Sequence, residues 1–294
     1  MQLLDGKQLA RDIKAEMAGQ VQAIAASGGK IPHLAAVLIG DSPASRVYVR
    51  NKVRSCEEVG FHSTLIKKPA DITQEEVLQI VQELNNDPGI DGFIVQLPLP
   101  EHLDEEAITL AINPAKDVDG FHPVNIGRMA LGLDCYLPAT PRGILEILSR
   151  YRIPTAGKEV VVVGRSNIVG TPISILMSRK GKVGDATVTL CHSRTHDLAK
   201  HTRRADILIV SVGRPNTITA DMVKEGVVVI DVGINRVDDP AAARGYRLVG
   251  DVDFAGVAPK ASYITPVPGG VGQMTVVALL LNTLQASKGA VYGR

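Results

Sequence analysis

Tryptophan is absent from the chain, and aromatic residues make up only 3% of it. Few stacking surfaces are on offer, which tells against a role in binding RNA bases or sugars. Cysteine is scarce as well: Cys56, Cys135 and Cys191 are odd in number, far apart and in no C-x-x-C pattern. They suggest neither a disulfide framework nor a zinc site, and they suit a reducing cytoplasm. Neither sign of charge is in excess, with 32 basic against 31 acidic residues. The chain has no basic surplus with which to neutralise nucleic-acid phosphates. No apolar run approaches ~20 residues, so a membrane-spanning helix is not expected. The opening Met1-Gln-Leu-Leu-Asp-Gly-Lys7 lacks a signal-peptide apolar core.

What is there is a composition with ample core, 45% hydrophobic and 21% charged over 294 residues. That length suits two domains or one large one. Apolar residues at helical spacing (Leu9, Ile13, Met17, Val21, Ile24) predict a helix ending at Gly28-Gly29. Strands are expected at 33–40, 61–67 and 92–97, with helices at 44–59, 73–86 and 105–112 between and after them. After a capped helix at 140–150 the alternation resumes: strands 160–163, 186–191, 206–210 and 227–231, helices 171–179 and 195–203. A last helix is expected from Gln273 to Ser287. Helix and strand in alternation predict an α/β fold with parallel sheets.

The stretch Val160-Val-Val-Val-Gly-Arg-Ser-Asn-Ile-Val-Gly-Thr-Pro172 organises the second half. Four valines read as a strand buried on both faces. A glycine turn and a helix N-terminus follow, a place where backbone N–H groups and the helix dipole favour phosphate. Gly164 and Gly170 are too far apart for the usual dinucleotide fingerprint, no lysine follows as in a Walker loop, and Ile168 rules out a nucleophile elbow. At the end of the next strand an NAD enzyme places an acid for the ribose hydroxyls. Here Ser193 and Arg194 stand instead, which suits a 2′-phosphate, with Arg165 in reach of the same group. This favours NADP over NAD. His192 and His196 straddle the strand end and helix start without companion ligands, so no metal site is expected.

In the first half, Arg46, Arg50 and Arg54 form an i, i+4, i+8 stripe, read as a solvated face. Tyr48 and Lys52 are also i, i+4, on a face away from that stripe. A lysine in a partly desolvated cleft exchanges protons near neutral pH, whereas on an open face it only snorkels. Tyr-x-x-x-Lys is the spacing of the short-chain dehydrogenases, but there it follows the coenzyme glycines and here it precedes them. Gln96, closing a buried strand, can hold an amine through its amide oxygen or simply satisfy a turn. Asp117 and Asp119 read as turn residues, although a carboxylate there can pair with an amino-pyrimidinone ring.

With these residues in place the chain resembles, over essentially its full length, the bifunctional methylenetetrahydrofolate dehydrogenase/methenyltetrahydrofolate cyclohydrolase (FolD) family. The resemblance is carried by Tyr48-Val-Arg-Asn-Lys52, Asp91-Gly-Phe-Ile-Val-Gln-Leu-Pro-Leu-Pro100, Lys116-Asp-Val-Asp-Gly-Phe121, Gly164-Arg-Ser-x-x-Val-Gly170 and Pro266-Val-Pro-Gly-Gly-Val-Gly272. It implies catalysis by Lys52 beside Tyr48, tuned by Gln96, with Asp119 anchoring the pterin and Val95 and Leu97 at the folate. Gly164, Arg165, Ser166, Ser193, Arg194 and Ile234 would meet NADP. Pro268, Gly269, Gly270, Val271 and Gly272 would close over the folate.

The resemblance further implies two α/β domains joined by long helices with a cleft between, commonly as a homodimer. A catalytic domain at 1–139, completed by helix 272–294, would accompany a Rossmann-like NADP domain at 140–271. One departure is Gln273, where the family usually has proline before Met-Thr. The alternatives, a two-domain amino-acid or shikimate-type dehydrogenase and a non-catalytic NADP-binding protein, share the coenzyme half. The folate-like motifs tell against the first, and the Tyr48/Lys52/Gln96/Asp119 set against the second.

Overall fold

The computed structural model describes residues 1–242 and 245–292, the side chains of 43 and 44 excepted. It opens with β1 (Gln2–Leu3) and α1 (Gly6–Ala26). Strand and helix alternate through β2 (His33–Ile39), α2 (Pro43–Val59), β3 (His62–Lys68), α3 (Gln74–Asn86) and β4 (Gly92–Val95). Then come α4 (Glu105–Ala111), α5 (Pro123–Ala130) and α6 (Ala139–Arg150). Alternation returns with β5 (Glu159–Val163), α7 (Gly170–Ser178), β6 (Thr187–Cys191), α8 (Leu198–Thr202), β7 (Ile207–Val210) and β8 (Val228–Asp231). The chain continues with β9 (Asn235–Asp238), β10 (Tyr246–Val249), α9 (Phe254–Val257), β11 (Tyr263–Ile264) and α10 (Val271–Ser287). Among the described residues no helix is long and apolar enough to cross a membrane.

These elements form two compact units. One comprises Arg11–Ala139 and the chain from Val276 onward; the other comprises Met1–Ala10 and Thr140–Thr275. The first ten residues side with the later unit because β1 pairs in parallel with β11, Gln2 opposite Tyr263 and Leu3 opposite Ile264. A two-residue strand carries no periodicity, so the sequence gives no sign of this pairing.

The first unit holds a three-stranded parallel sheet in the order β3-β2-β4. Central β2 is buried from Leu34 to Ile39, as a strand covered on both faces must be. Ala35, Val37 and Ile39 pack with Val77, Ile80, Val81 and Leu84 of α3 and with Ile108 of α4. A reciprocal capping box fixes the start of α3: Glu76 N donates to Thr73 Oγ1 and Thr73 N to Glu76 Oε2.

In the second unit a six-stranded parallel sheet runs β1-β11-β8-β7-β5-β6. Counted from β5 the order is 2-1-3-4-5, with β1 added at the far edge. The winding direction reverses between β5 and β7, and in such sheets ligands lie beyond the carboxyl ends of the strands at that reversal. The four valines Val160–Val163 are buried and paired on both sides, with β6 and with β7. Helix 195–203 of the sequence reading is shorter, beginning at Leu198, because His192–Thr195 closes into a turn. The antiparallel pair β9/β10 and helix α5 lay outside the sequence reading. The first is a short, partly exposed pair with no continuous apolar run, and the second starts from a His122 cap, an uncommon residue for the task.

Candidate active site

Helix α2 carries the lysine. Proline in its first turn and Gly60 in the left-handed region at its end (φ 79°) delimit it. Ser45, Val49, Cys56 and Val59 are buried, and Lys52 is half-buried. Lys52 Nζ donates to Gln96 Oε1 at 3.1 Å. The Gln96 amide is oriented from its other end, since Nε2 donates to the Leu97 carbonyl at 2.7 Å. The Gln96 backbone N–H donates to Val37 O at 2.9 Å, which ties the residue to central strand β2. The two readings of Lys52 and Gln96 separate here: the pair is a contact, not two independent surface groups. Tyr48 is half exposed, and its hydroxyl makes no hydrogen bond with the described residues. On the arginine stripe, Arg46 pairs with Asp41 and Arg54 with Glu58.

The two aspartates after β4 have different environments. Asp117 is buried and accepts from Gly120 N (3.1 Å), His122 N (2.8 Å) and Asn125 Nδ2 (2.9 Å). Burial pushes its carboxyl up to about 6 against these bonds, and neighbouring Asp119 adds to the effect. Asp117 is therefore committed to holding the turn. The carboxylate of half-buried Asp119 makes no hydrogen bond or ion pair with the described residues and is left to meet a ligand. Between them, the Val118 carbonyl accepts from Asn282 Nδ2 of α10 at 2.7 Å, and a second bond from Asn282 reaches Leu137 O at 2.9 Å. Val95, Leu97, Asp117 and Asp119 line one small cavity; Val95 is buried and Leu97 half-buried.

The second unit builds a cradle at the reversal of its sheet. Gly164 has φ 113°, and a Cβ on it would lie 2.0 Å from the Ser211 carbonyl oxygen. A Cβ on Gly170 would lie 1.9 Å from Gly164 O. Only glycine allows the loop to fold back so closely onto the start of α7. Ser166 Oγ accepts from Val169 N at 3.2 Å, and its carbonyl accepts from Thr171 N at 3.0 Å. Strand β6 ends in register with β5, Cys191 opposite Val163. The next turn is closed by Thr195 N donating to His192 O and His192 N to Thr195 Oγ1. Ser193, Arg194 and Arg165 are exposed. Both guanidinium groups are unpaired among the described residues, at the ends of adjacent strands.

Loop 268–272 is packed from behind by the N-terminus. A Cβ on Gly6 would lie 2.1 Å from Gly270 O, and Lys7 N donates to Gly269 O at 3.0 Å. A Cβ on Gly272 would meet Ile234 Cδ1 at 3.2 Å, so exposed Ile234 stands beside this loop. Val271 is buried, whereas Pro268 and Gly272 are exposed. Helix α10 starts at Val271, two residues earlier than expected. Gln273 N donates to Gly270 O at 3.3 Å, a bond that a proline at that position does not make.

A buried pair of acids, not expected from the sequence, lies beside the cradle. Asp231 ends β8 and accepts from Gly233 N, Asp251 N and Val252 N, each at 2.9 Å. Burial, with the Asp251 charge adding, pushes its carboxyl up to about 6. Asp251 accepts from Val212 N, Gly213 N and Arg214 N at 2.6, 3.0 and 2.9 Å. The available signal was the glycine beside each, in Asp231-Val-Gly233 and Gly250-Asp251: a Cβ on Gly233 or Gly250 would collide with the opposite carboxylate.

The chain is similar to known proteins over nearly its whole length. Residues 4–119 match the catalytic domain of tetrahydrofolate dehydrogenase/cyclohydrolase, and residues 138–291 match its NAD(P)-binding domain. The chain belongs to the tetrahydrofolate dehydrogenase/cyclohydrolase family. It is 62% identical to the bifunctional protein FolD of Flavobacterium johnsoniae, with 98% of each chain covered. It is 61% identical to that of Cytophaga hutchinsonii, covering 98% of this chain and 99% of the relative. The crystal structure of the bifunctional FolD dehydrogenase/cyclohydrolase from Campylobacter jejuni superposes with a TM-score of 0.92 at 46% identity, 99% of each chain covered. The Trypanosoma brucei FolD, complexed with NADP cofactor and inhibitor, gives 0.91 at 38% identity, with 98% of this chain and 97% of that one covered. Tyr48, Lys52, Gln96 and Asp119 fall in the family's catalytic domain. The glycine cradle and both arginines fall in its NAD(P)-binding domain.

Proposed function

We propose that this chain oxidises 5,10-methylenetetrahydrofolate to the methenyl form with NADP and then hydrolyses the product to 10-formyltetrahydrofolate. The single observation that carries the reading is the Lys52–Gln96 contact, in the same unit as unpaired Tyr48 and Asp119, in a chain of this family. The unit containing them is the catalytic, folate-binding domain; the one built on β5–β8 binds the coenzyme.

The glycine cradle fits a dinucleotide. Gly164 and Gly170 leave no room for a Cβ, which holds the loop against the start of α7, where backbone N–H groups would meet a phosphate. Ser193, Arg194 and Arg165 would hold the 2′-phosphate, and Ser166 and Ile234 would contact the coenzyme. NADP supplies the hydride acceptor when bound. No protein base is needed in that step, since the folate nitrogen lone pair drives the hydride out, and positioning carries it. Asp119 pairs with the amino-pyrimidinone N–H groups, and Tyr48, Val95 and Leu97 confine the ring.

Hydrolysis asks more of the chain. Water adds to the methenyl carbon and loses a proton, and a ring nitrogen takes one up as the carbon–nitrogen bond breaks. Lys52 Nζ, fixed by Gln96, moves that proton. The three free cysteines, two of them buried, suit a reducing cytoplasm, and family likeness leads us to expect a homodimer. A spectrophotometric assay with methylenetetrahydrofolate, comparing NADP with NAD, tests the whole reading. NADP reduction with onward formation of the formyl product is expected. No turnover despite bound NADP would overturn it.

A further inference from the structure

We infer that Asp251 is the positioning residue of the coenzyme site, fixing through one buried carboxylate the wall that faces the glycine cradle. The inference rests on the proposal that this unit binds NADP. The reversal of strand order between β5 and β7 puts a crevice between the loops leaving those strands. One wall is the turn from Gly164 to Gly170. The other is Val212–Arg214, and the walls touch where Gly164 meets the Ser211 carbonyl.

The second wall has no helix to hold it. Three consecutive backbone N–H groups, of Val212, Gly213 and Arg214, converge instead on Asp251. Successive N–H groups in such an array form a nest that elsewhere takes a phosphate. Here it is filled from within by a side chain that is fully buried. These donors point inward, and the coenzyme phosphates are left to the cradle opposite.

The same carboxylate reaches a further loop. Asn235 Nδ2 donates to Asp251 Oδ1 at 2.9 Å and to Gly250 O at 3.2 Å, and Asn235 is the neighbour of Ile234. Asp231 in turn accepts from Asp251 N, while its own N–H donates to Thr265 Oγ1 at 2.8 Å. A Cβ on Gly233 would lie 2.3 Å from Asp251 Cγ. Loops 212–214 and 233–235 therefore share one anchor, and no slack separates them from it.

Asp251→Asn keeps the volume but turns an amide NH2 toward a set of N–H donors, leaving at least one of them unpaired. NADPH affinity, measured by calorimetry on the full chain, is expected to fall about tenfold or more. The KM for NADP should rise in step while kcat at saturation changes little. Hydrolysis of methenyltetrahydrofolate without coenzyme should stay near the parent rate. Asn235→Ala, which removes one donor from a half-buried position, should give a smaller loss of the same kind. Unchanged NADPH affinity in folded Asp251→Asn overturns the inference. So does a parallel loss of NADPH binding and hydrolysis, because it would mark a purely structural residue. If Asp251→Asn does not fold, Asn235→Ala decides: weaker NADPH binding with intact hydrolysis supports the inference, and unchanged binding ends it. A parent chain that binds no NADPH would refute the coenzyme reading itself, and the inference with it.

Discussion

Lys52 and Gln96, forty-four residues apart in the chain, meet at 3.1 Å between a helix and the end of a strand. Gln96 accepts from the lysine, whose ammonium has only donors, and its own amide NH2 is turned away toward the Leu97 carbonyl. The contact positions an amine without neutralising it by a carboxylate. A proton-transfer group benefits from that arrangement, and a salt-bridged lysine would not.

Replacing Lys52 by Met should therefore separate the two activities. Hydrolysis is expected to fall about 100-fold or more, the usual contribution of a placed acid–base group. NADP-dependent oxidation should fall far less. Steady-state rates of both reactions on one preparation that still binds NADP would check this. Equal losses would sink the division of labour.

Removing the polar pair at the end of β6 should change coenzyme choice. With Ser193→Ala and Arg194→Ala combined, the KM for NADP should rise about tenfold, the loss of a charge-assisted contact to phosphate. The KM for NAD should hardly move. If both coenzymes respond alike, the 2′-phosphate is read elsewhere.

Asp117 and Asp231 both titrate at about 6 in the folded chain, above their ordinary 3.8. Between those values the folded chain holds protons that the unfolded chain has lost. Their contribution to stability is thus fully present at low pH and is lost as pH rises through about 6. Measured against Asp117→Asn or Asp231→Asn, the parent should gain relative stability as pH falls from about 6.5 to about 5. Denaturant midpoints across that range provide the measurement, and a difference independent of pH would count against the assignment.

Asn282→Ala should leave the carbonyls of Val118 and Leu137 unpaired in a buried setting. A loss of roughly 2 kcal/mol or more is expected, since each orphaned buried group costs about 1–3 kcal/mol. Because Val118 adjoins Asp119, the KM for folate should rise in both reactions while that for NADP stays put. Urea unfolding and the two KM values together test it.

Much of this was legible from the chain alone, for identifiable reasons. Buried parallel strands are continuous apolar runs, so β2, β5, β7 and β8 could be read directly. The cradle was legible because its glycines are structurally obligatory. Tyr48, Lys52, Gln96 and Asp119 could be picked out by type and position, but only the structure separates Asp119 from Asp117. Their spacing is symmetrical; their burial and hydrogen bonding are not. Asp231 and Asp251 escaped because their carboxylates are satisfied mainly by backbone N–H groups, which no residue type in the sequence reveals. The β1–β11 pairing escaped because nothing in two residues marks a strand.

That last pairing has a consequence for how the protein is made. Gln2 and Leu3 leave the ribosome long before their partners Tyr263 and Ile264. Gly6 likewise waits for the loop that it backs, around Gly270. The outer edge of the larger sheet cannot close while the chain is growing, and neither can the support behind the 268–272 loop. Contacts of such long sequence separation are slow to form. A nascent chain halted before residue 263 should thus hold β1 unpaired and more open to proteases than in the folded protein, where it bonds to β11.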